Sequence, residues 1–427
     1  MRSADCVVAG CRQLVTCRGP LPKRGGALRD VGVVENGWLA SDRGRIVFAG
    51  TERDFRAEVA VADGAARVDG GGLVAMPGFV DAHTHLPFAG DRQREFGLRL
   101  RGWTYQQLAA EGMGILSTVR ATRAASRSEL LALCLRRLDE MLLTGTTTVE
   151  AKSGYGLDLE SEVKQLEVLK DLGSRHPIDV VPTFMGAHEV PPEYRDRRRA
   201  YIDLLVRTLI PEVRRRNLAE FFDVFCEPGY FSLEETEAML RAAREAGFKL
   251  KVHAEEFAAL GGAALAARLG AVSAEHLVSI DDGGIAALAA SATAAVCLPG
   301  VPFFLMLDKR PPARLLIEAG AAVALASDFN PGSSHISSML LVLQLGVFTL
   351  GLSVEEAVNA CTGNGAYAVD RHADVGTLEP GKKMDVLLLD ASDYVSLGYR
   401  PGANPIRHVI KNGRLVVRDG RKAEAAG

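Results

Sequence analysis

Two histidines one residue apart follow an apolar stretch near residue 80. His83 and His85 come directly after residues 72–82, of which only Asp81 is polar. Side chains two positions apart on a strand point to the same side, so both imidazoles can bind one metal ion if a strand ends here. The segment therefore predicts part of a metal centre, and the rest of the chain must supply the remaining ligands.

Two further side chains, His253 and Asp328, each stand at the end of a predicted strand. Three neutral imidazoles and one carboxylate suit Zn²⁺ or Fe²⁺ and leave a coordination position for water. A single histidine is more often structural than a metal ligand. Three histidines and one aspartate at predicted strand ends are better explained by a metal site than by coincidence. We therefore expect one Zn²⁺ or iron ion bound by His83, His85, His253 and Asp328.

Proton transfer at such a centre needs a carboxylate that is not itself a ligand. Water bound to a metal ion has its pKa lowered toward ~7, so hydroxide forms at neutral pH and a neighbouring base can move the protons. Glu256, three residues after His253, is the predicted general base and acid, and Glu255 is the competing candidate. His276, at the end of another apolar stretch, is predicted to orient the water or to polarise a substrate carbonyl.

These side chains need a scaffold that brings distant strand ends together. Strand patterns alternate with helical patterns between residues 73 and 327, which predicts an α/β fold, a (β/α)8 barrel of the TIM type. Near-continuous apolar strands are typical of a parallel sheet that is buried on both faces, and barrel enzymes place their chemistry at the carboxyl ends of the strands. The predicted strands are residues 73–81, 146–151, 179–185, 222–226, 249–253, 271–276, 292–298 and 321–327.

Both ends of the chain differ in character from this α/β centre. Short strand patterns broken by turns precede residue 76, and a hairpin with an Asn412-Gly413 turn is predicted near the C-terminus. We therefore expect a small composite β-sandwich domain built from both termini. The predicted division is 1–76 for its N-terminal part, 77–372 for the metal-binding barrel and 373–427 for its C-terminal part.

The composition argues against several other classes of protein. A net charge of −3 over 427 residues gives no electrostatic case for nucleic acid or an anionic membrane as a partner. No apolar run approaches the ~20 residues that span a bilayer, and the N-terminus lacks the apolar core of a signal peptide. The seven cysteines are odd in number and form no C-x-x-C pair, so reduced thiols and a cytoplasmic location are expected.

Longer motifs around these residues resemble those of a known family. The strings PGFVDAHTH at 77–85 and GTLEPGKKMD at 376–385 resemble the amidohydrolase superfamily. Three more unusual strings resemble the imidazolonepropionases within that superfamily, namely EAKSGYG at 150–156, TFMGAH at 183–188 and SDFNPGS at 327–333. The resemblance extends from about residue 33 to residue 417, which is nearly the whole chain.

The resemblance implies hydrolysis of 4-imidazolone-5-propanoate to N-formimino-L-glutamate, a step of histidine degradation, by attack of a metal-bound hydroxide on the ring carbonyl. The implied partners are this small molecule and water, and the family also implies a homodimer. For Arg92 the chemistry agrees, since a guanidinium is a bidentate partner for a propanoate carboxylate. Taken alone, the charged run 91–95 is equally typical of a solvated surface. The implied substrate contacts are Arg92, Tyr105, Tyr155, His188, Asn330, Gly332 and Ser333.

Two other functions stay open at this point. Another cyclic amidohydrolase, or an aminohydrolase that deaminates a guanine-like ring, could use the same pairing of His253 with Glu256. A carboxylate-binding Arg92 favours an acidic substrate over a neutral base. A catalytically silent barrel acting as a scaffold would be expected to lack metal ligands, and this chain has all four.

Lys152 raises the question of how many metal ions are bound. In binuclear relatives a carboxylated lysine bridges two metals, usually from the fourth strand. The fourth predicted strand here ends in Cys226 and Glu227 instead. A single metal ion is therefore expected, with Lys152 serving structure or substrate positioning.

Overall fold

Eight parallel strands form a nearly closed barrel in the computed structural model, which describes residues 1–104, 107–108 and 111–423. Each strand pairs with the next one along the chain. The first and last strand ends are joined by two hydrogen bonds, from Asp328 N to His83 O and from His85 N to Phe329 O, both 3.0 Å. Numbered in chain order, the barrel strands are β6 Phe79–Thr84, β7 Thr146–Lys152, β8 Asp179–Ala187, β9 Phe221–Cys226, β10 Lys249–Ala254, β11 Ser273–His276, β12 Ala294–Cys297 and β13 Ala322–Leu325.

Helices cover the outside of this barrel, so the predicted (β/α)8 architecture is confirmed. Three of them begin with a capping box, in which Ser126, Ser232 or Ser353 exchanges hydrogen bonds with a glutamate three residues later. The longer helices among the described residues are Gln93–Leu100, Ile115–Ala124, Arg127–Leu143, Leu159–Arg175, Leu233–Glu245, Gly262–Leu269, Asp282–Ala289, Met339–Leu350 and Val354–Cys361. Shorter helical segments are Gly25–Arg29, Glu52–Glu58, Pro192–Arg197, Arg198–Leu204, Leu205–Leu209, Ile210–Arg215, Gly300–Leu305, Ala313–Ala319, Gly363–Ala368 and Ser396–Tyr399.

The predicted first strand, residues 73–81, is wrong in one respect, because it is two strands. Val74–Pro77 belongs to the sheet of the termini, whereas Phe79–Thr84 begins the barrel. Gly78 lies between them, and a Cβ at this position would overlap the Thr147 side chain of the next barrel strand. The other seven predicted strands match the observed ones to within two residues at each end.

Strands from both termini form a separate sheet, as the sequence predicts. Its central strand β1 pairs along its first half with β4 and along its second half with β5, and a bulge near Gly10 separates the halves. The turn at Asn412-Gly413 is confirmed, with φ of 50° and 74° at the two residues. The strands are β1 Arg2–Val15, β2 Val33–Asp42, β3 Arg45–Thr51, β4 Val59–Asp69, β5 Val74–Pro77, β14 Val386–Leu389, β15 Ile406–Lys411, β16 Arg414–Arg418 and β17 Arg421–Lys422.

A buried lysine ties this sheet to the barrel. Lys411 Nζ lies 2.5 Å from Asp385 Oδ2 within the sheet and 2.7 Å from Asp179 Oδ2 at the start of β8. The sheet therefore packs at the amino-terminal side of the barrel strands, away from the ends that carry the histidines. In the described part of the chain, every helix is too short or too polar to span a bilayer.

Candidate active site

The four predicted metal ligands converge at the carboxyl ends of two barrel strands, β6 and β10, and in the loop after the eighth strand. The Nε2 atoms of His83 and His85 are 3.3 Å apart, and that of His253 is 3.4 Å from His85 Nε2. Asp328 Oδ1 lies 3.3 Å from His83 Nε2 and 3.1 Å from His85 Nε2. All four side chains are buried. The structure therefore brings together residues that are up to 245 positions apart, from His83 to Asp328.

This arrangement fits a tetrahedral metal ion. Ligands that each lie about 2.0–2.1 Å from a metal are separated from one another by roughly 3.3–3.4 Å in a tetrahedron, which is the spacing found here. Asp328 Oδ1 is buried and accepts no hydrogen bond from the described residues, although its neighbours are imidazole nitrogens. A cluster of lone pairs without donors is favourable only with a cation among them, so the residues present fit the metal.

The ligands are oriented by carboxylates beneath them. Glu275 Oε2 lies 2.5 Å from His83 Nδ1, and Asp223 Oδ1 lies 3.1 Å from His253 Nδ1. A carboxylate at Nδ1 keeps the proton there and directs the Nε2 lone pair toward the metal. Asp328 is held in a similar way, because its Oδ2 accepts hydrogen bonds from Asn330 Nδ2 at 2.9 Å and from Ser333 Oγ at 3.2 Å.

Below the ligands lies a cluster of charged side chains that we call the ionic network, made of Glu150, Lys152, Asp223, Lys251 and Glu275. All five are fully buried inside the barrel. Lys152 Nζ lies 2.7 Å from Glu150 Oε1, 2.9 Å from Asp223 Oδ2 and 3.2 Å from Glu275 Oε2. Burial alone would lower the pKa of Lys152, but the three carboxylates raise it well above its usual value.

The second lysine of the ionic network completes the pairing. Lys251 Nζ lies 2.5 Å from Glu275 Oε1 and donates to Ser273 Oγ at 2.7 Å. Sequence reasoning missed the acids Asp223, Glu275 and Glu150 because it treated their strands as apolar. The available signal was alternation along the strands, since Lys251 stands two positions before His253 and Ser273 two positions before Glu275, so each pair shares one side of its strand.

Three residues at the ends of barrel strands have a left-handed backbone conformation. The φ angle is 58° at Glu255, 76° at His276 and 53° at Asp328, although none of these residues is glycine. Such conformations cost on the order of 1–3 kcal/mol each and persist where the surrounding structure enforces them. Their position at the ends of β10, β11 and β13 ties this strain to the candidate site.

The structure distinguishes the two candidate proton carriers. Glu256 lines the cavity, and its Oε2 lies 3.6 Å from His276 Nδ1. Glu255 turns away and accepts hydrogen bonds from Gly261 N and Ala263 N at 3.2 Å. Burial, followed by the negative charges of Asp328 and Glu227, raises the pKa of Glu256 well above its usual value. A carboxyl group whose pKa is raised toward neutral pH suits a carrier that both accepts and releases a proton.

Glu227, which sequence reasoning did not assign, holds the Glu256 loop in place. Its carboxylate accepts hydrogen bonds from the backbone N–H groups of Glu256 at 2.5 Å, Phe257 at 3.2 Å and Ala258 at 3.4 Å. Three donors on one carboxylate fix the start of this loop. The position of Glu256 therefore depends on the residue at the end of the neighbouring strand β9.

His188 and Tyr155 stand beside the ligand His85. The His188 ring is stacked on that of His85 with centroids 4.9 Å apart, and its Nδ1 donates to Gly154 O at 3.1 Å. Burial lowers the pKa of His188 to about 3, with the nearby His85 adding to the effect, so the ring is neutral. A neutral ring whose Nδ1 carries the proton presents Nε2 as an acceptor. Tyr155 is buried and lines the same cavity.

Arg92 enters the cavity from the other side, paired with an acid. Its Nε donates to Glu95 Oε2 at 2.8 Å and its Nη2 donates to Glu95 Oε1. Gly332 leaves room for this guanidinium, since a Cβ there would overlap Arg92 Nη1. Asn330 Oδ1 accepts the N–H groups of Gly332 and Ser333 at 2.8 Å each, so its amide shapes the loop that carries both residues.

The cavity has a volume of about 340 Å³, which is enough for a small organic molecule above the ligands. Tyr105 lies outside the described residues. The remaining predicted residues outside the ligand set all line the cavity, namely Arg92, Tyr155, His188, Glu256, His276, Asn330, Gly332 and Ser333.

Known proteins resemble this chain over nearly its whole length. The model of the "Amidohydrolase family" matches residues 74–416. A protein of Symbiobacterium thermophilum named imidazolonepropionase is 50% identical over 422 residues, which covers 99% of each chain. One of the same name from Porphyromonas gingivalis is 47% identical over 95% of each chain.

Two solved structures share the fold at low identity. An adenosine deaminase from Xanthomonas campestris with bound zinc has a TM-score of 0.72 at 19% identity, covering 99% of this chain and 95% of the other. An atrazine chlorohydrolase from Arthrobacter aurescens complexed with zinc has a TM-score of 0.69 at 17% identity, covering 98% of this chain and 97% of the other.

Proposed function

The chain belongs to the amidohydrolase family and, within it, to the imidazolonepropionases, and from this premise we propose how its residues carry out the reaction. The enzyme hydrolyses 4-imidazolone-5-propanoate to N-formimino-L-glutamate. Water adds to the ring carbonyl carbon, the adjacent C–N bond breaks, and the product gains a carboxylate. One observation supports the assignment of this reaction to particular residues. Beneath one cavity, side-chain nitrogen and oxygen atoms of His83, His85, His253 and Asp328 lie 3.1–3.4 Å from one another.

We propose that these four residues hold one Zn²⁺ or iron ion. When bound, such an ion lowers the pKa of a water molecule toward ~7 and polarises a carbonyl oxygen. The position of Lys152 supports a single ion. One of the three groups of potential ligands among the described residues is Asp223, His253 and Glu275, and the Lys152 ammonium already contacts both of its carboxylates.

Glu256 is the proposed carrier of the proton. Its carboxylate accepts a proton from the attacking water and then delivers it to the ring nitrogen that leaves, so that N–H forms as C–N breaks. The cavity-lining position of Glu256 and its raised pKa support both halves of this role. Its neighbour Glu227 keeps the loop in position during the transfer.

His276 is the proposed partner of the carbonyl oxygen. Burial lowers its pKa to about 4, so the ring is neutral, and its Nδ1 has no hydrogen-bond partner among the described residues. A neutral imidazole in a buried site can donate a hydrogen bond to the oxygen as negative charge develops there. The left-handed backbone at His276 aims the ring toward the cavity.

The remaining contacts are proposed to fix the substrate's orientation. Arg92 binds the propanoate carboxylate through the guanidinium edge that Glu95 leaves open. The Nε2 atom of His188 accepts a hydrogen bond from a ring N–H group, and the Tyr155 hydroxyl contacts the ring's polar edge. Holding both ends of a small substrate places its carbonyl over the metal ligands. The proposal extends to Tyr105 and to the loop residues Asn330, Gly332 and Ser333.

We also propose the domain division 1–76, 77–372 and 373–427, a homodimer and a cytoplasmic location. The division is supported by strands β5 and β14, which pair with each other in the sheet of the termini. The seven cysteines, all free and buried, support a reducing compartment.

The function is tested by following loss of imidazolone absorbance with purified enzyme, the labile substrate being generated in situ. The expected result is rapid loss of the signal with N-formimino-L-glutamate as the product. Guanine and a cyclic urea serve as competing substrates. Preferential release of ammonia from guanine would contradict the assignment and favour an aminohydrolase.

A further inference from the structure

A second arginine faces the cavity without an acidic partner among the described residues. Arg99, in the helix Gln93–Leu100, lines the same cavity as Arg92. Its Nε and Nη2 atoms are buried and have no hydrogen-bond partner in the described chain. We propose that Arg99 is a second guanidinium of the carboxylate subsite, and that it selects substrates with an anionic side chain. This inference deepens the proposed function and rests on it.

The Arg99 guanidinium is held in place by packing rather than by an acid. It lies 5.6 Å from the ring centroids of both Phe96 and Phe304. Its Nη1 donates to the backbone oxygen of Gly332 at 3.3 Å. Aromatic faces and one carbonyl orient the group while leaving its Nε and Nη2 edge unused, and this edge is one of the two that bind a carboxylate in bidentate fashion.

Arg92 and Arg99 flank the same residue. Arg92 Nη1 packs where a Cβ of residue 332 would be, and Arg99 Nη1 contacts the oxygen of Gly332. Glu95 engages Arg92 on its Nε and Nη2 edge, so the opposite Nη1 and Nη2 edge stays open. The two arginines therefore present one open edge each beside the loop after β13.

The two arginines and Glu95 do not balance each other's charges. Arg92, Arg99 and Glu95 together carry one net positive charge, and the substrate carries one carboxylate. Burial lowers the pKa of Arg99, the charge of Glu95 raises it and that of Arg92 lowers it further. Leaving a partly buried guanidinium unpaired is unfavourable, so an anionic ligand is the partner that this group lacks.

The test compares two ligands in one enzyme. The probes are 3-(imidazol-4-yl)propanoate and 4-propylimidazole, which differ in the carboxylate alone, and calorimetry gives the Kd of each for the metal-loaded enzyme. In the wild type we expect the acid to bind much more tightly. R99M should reduce this preference by about 10–100-fold, because a hydrogen bond to a charged group contributes about 1.5–3 kcal/mol. R99K keeps the positive charge but loses the paired N–H donors of the guanidinium. It should therefore recover part of the preference for the acid.

The matched control is R94M, because Arg94 is an exposed arginine of the same helix. It should bind both probes as the wild type does. An R99M enzyme with the acid preference of R94M would overturn the role of Arg99 while leaving the proposed function intact. A wild type that binds both probes equally would overturn the whole carboxylate subsite. Far-ultraviolet circular dichroism checks folding, and R99Q replaces R99M if that variant is unstable.

Discussion

The ionic network below the metal ligands and the arginine wall above them, made of Arg92, Glu95 and Arg99, use charge in opposite ways. In the ionic network each lysine lies within 3.2 Å of a carboxylate, and all five side chains are fully buried. In the wall, one of the two guanidinium groups has no acidic partner among the described residues. Every charged group of the network already contacts a group of opposite charge, so the network holds geometry, whereas Arg99 in the wall lacks such a partner until an anion binds.

The difference follows from what each region must do. A ligand set must stay within a few tenths of an ångström of its working geometry, and closed ion pairs that hold the ligand histidines provide this. A recognition surface must gain free energy when the substrate arrives, which requires groups that are held in place but not yet paired. Substitutions in the two regions should therefore change different measurable quantities.

The largest effect is expected at the junction of the two regions. Asp328→Ala removes the proposed carboxylate ligand, and we expect loss of tightly bound metal together with loss of detectable turnover. Metal content after dialysis, measured by plasma emission spectrometry beside the kinetic assay, checks this. A variant that keeps a full equivalent of metal would contradict the assignment of Asp328 as a ligand.

Glu256→Gln should give the next largest change. The amide cannot carry the proton, so we expect kcat to fall by about 10²–10⁴-fold with metal content unchanged. The matched control is Glu255→Gln, since that neighbouring carboxylate points away from the cavity and bonds to backbone N–H groups. If the Glu256 variant kept a kcat close to that of the control, the proton-carrier role would be wrong.

Two carboxyl-to-amide substitutions, one in the ionic network and one in the arginine wall, compare the two regions directly. Glu275→Gln weakens the hold on His83, and we expect metal affinity to fall by about 10–100-fold. Glu95→Gln loosens Arg92 instead and should raise KM without changing metal affinity. Competition with a metal-binding dye gives the affinities. Equal effects of both variants on metal affinity would erase the distinction between the two regions.

Arg92→Ala should act on substrate binding alone. It removes one of two guanidinium groups, so we expect KM to rise by about 10–100-fold while kcat changes little. Initial rates over a range of substrate concentrations separate the two constants. Unchanged kcat/KM would mean that Arg92 does not bind the propanoate.

The sequence predicted the barrel strands, and the candidate ligands at their ends, because these signals are local. Such features depend on neighbouring residues, as in seven of the strands, the capping box at Ser232 and the turn at Asn412-Gly413. The ionic network was not predicted, because whether Lys152 meets Asp223 depends on which strands lie side by side and in what register. The split at Gly78 was missed for a related reason, since one apolar run serves two sheets.

Arg99 shows a third kind of limit. In the sequence it is one charge in a run that is typical of an exposed helix, as Arg94 is in the structure. Only the packing against Phe304 and the carbonyl of Gly332 distinguishes it, and both residues are more than 200 positions away. Long-range placement therefore decides which charges of a helix belong to a site.

The most direct test of the account is a titration of metal-free enzyme with Zn²⁺, and separately with Fe²⁺ under anaerobic conditions. Bound metal and turnover of 4-imidazolone-5-propanoate are measured on the same samples. We predict that activity rises in proportion to bound metal and reaches its plateau at one equivalent per chain. Full activity in the metal-free enzyme, or a rise that continues to a second equivalent, would contradict a single metal ion held above a closed ionic network.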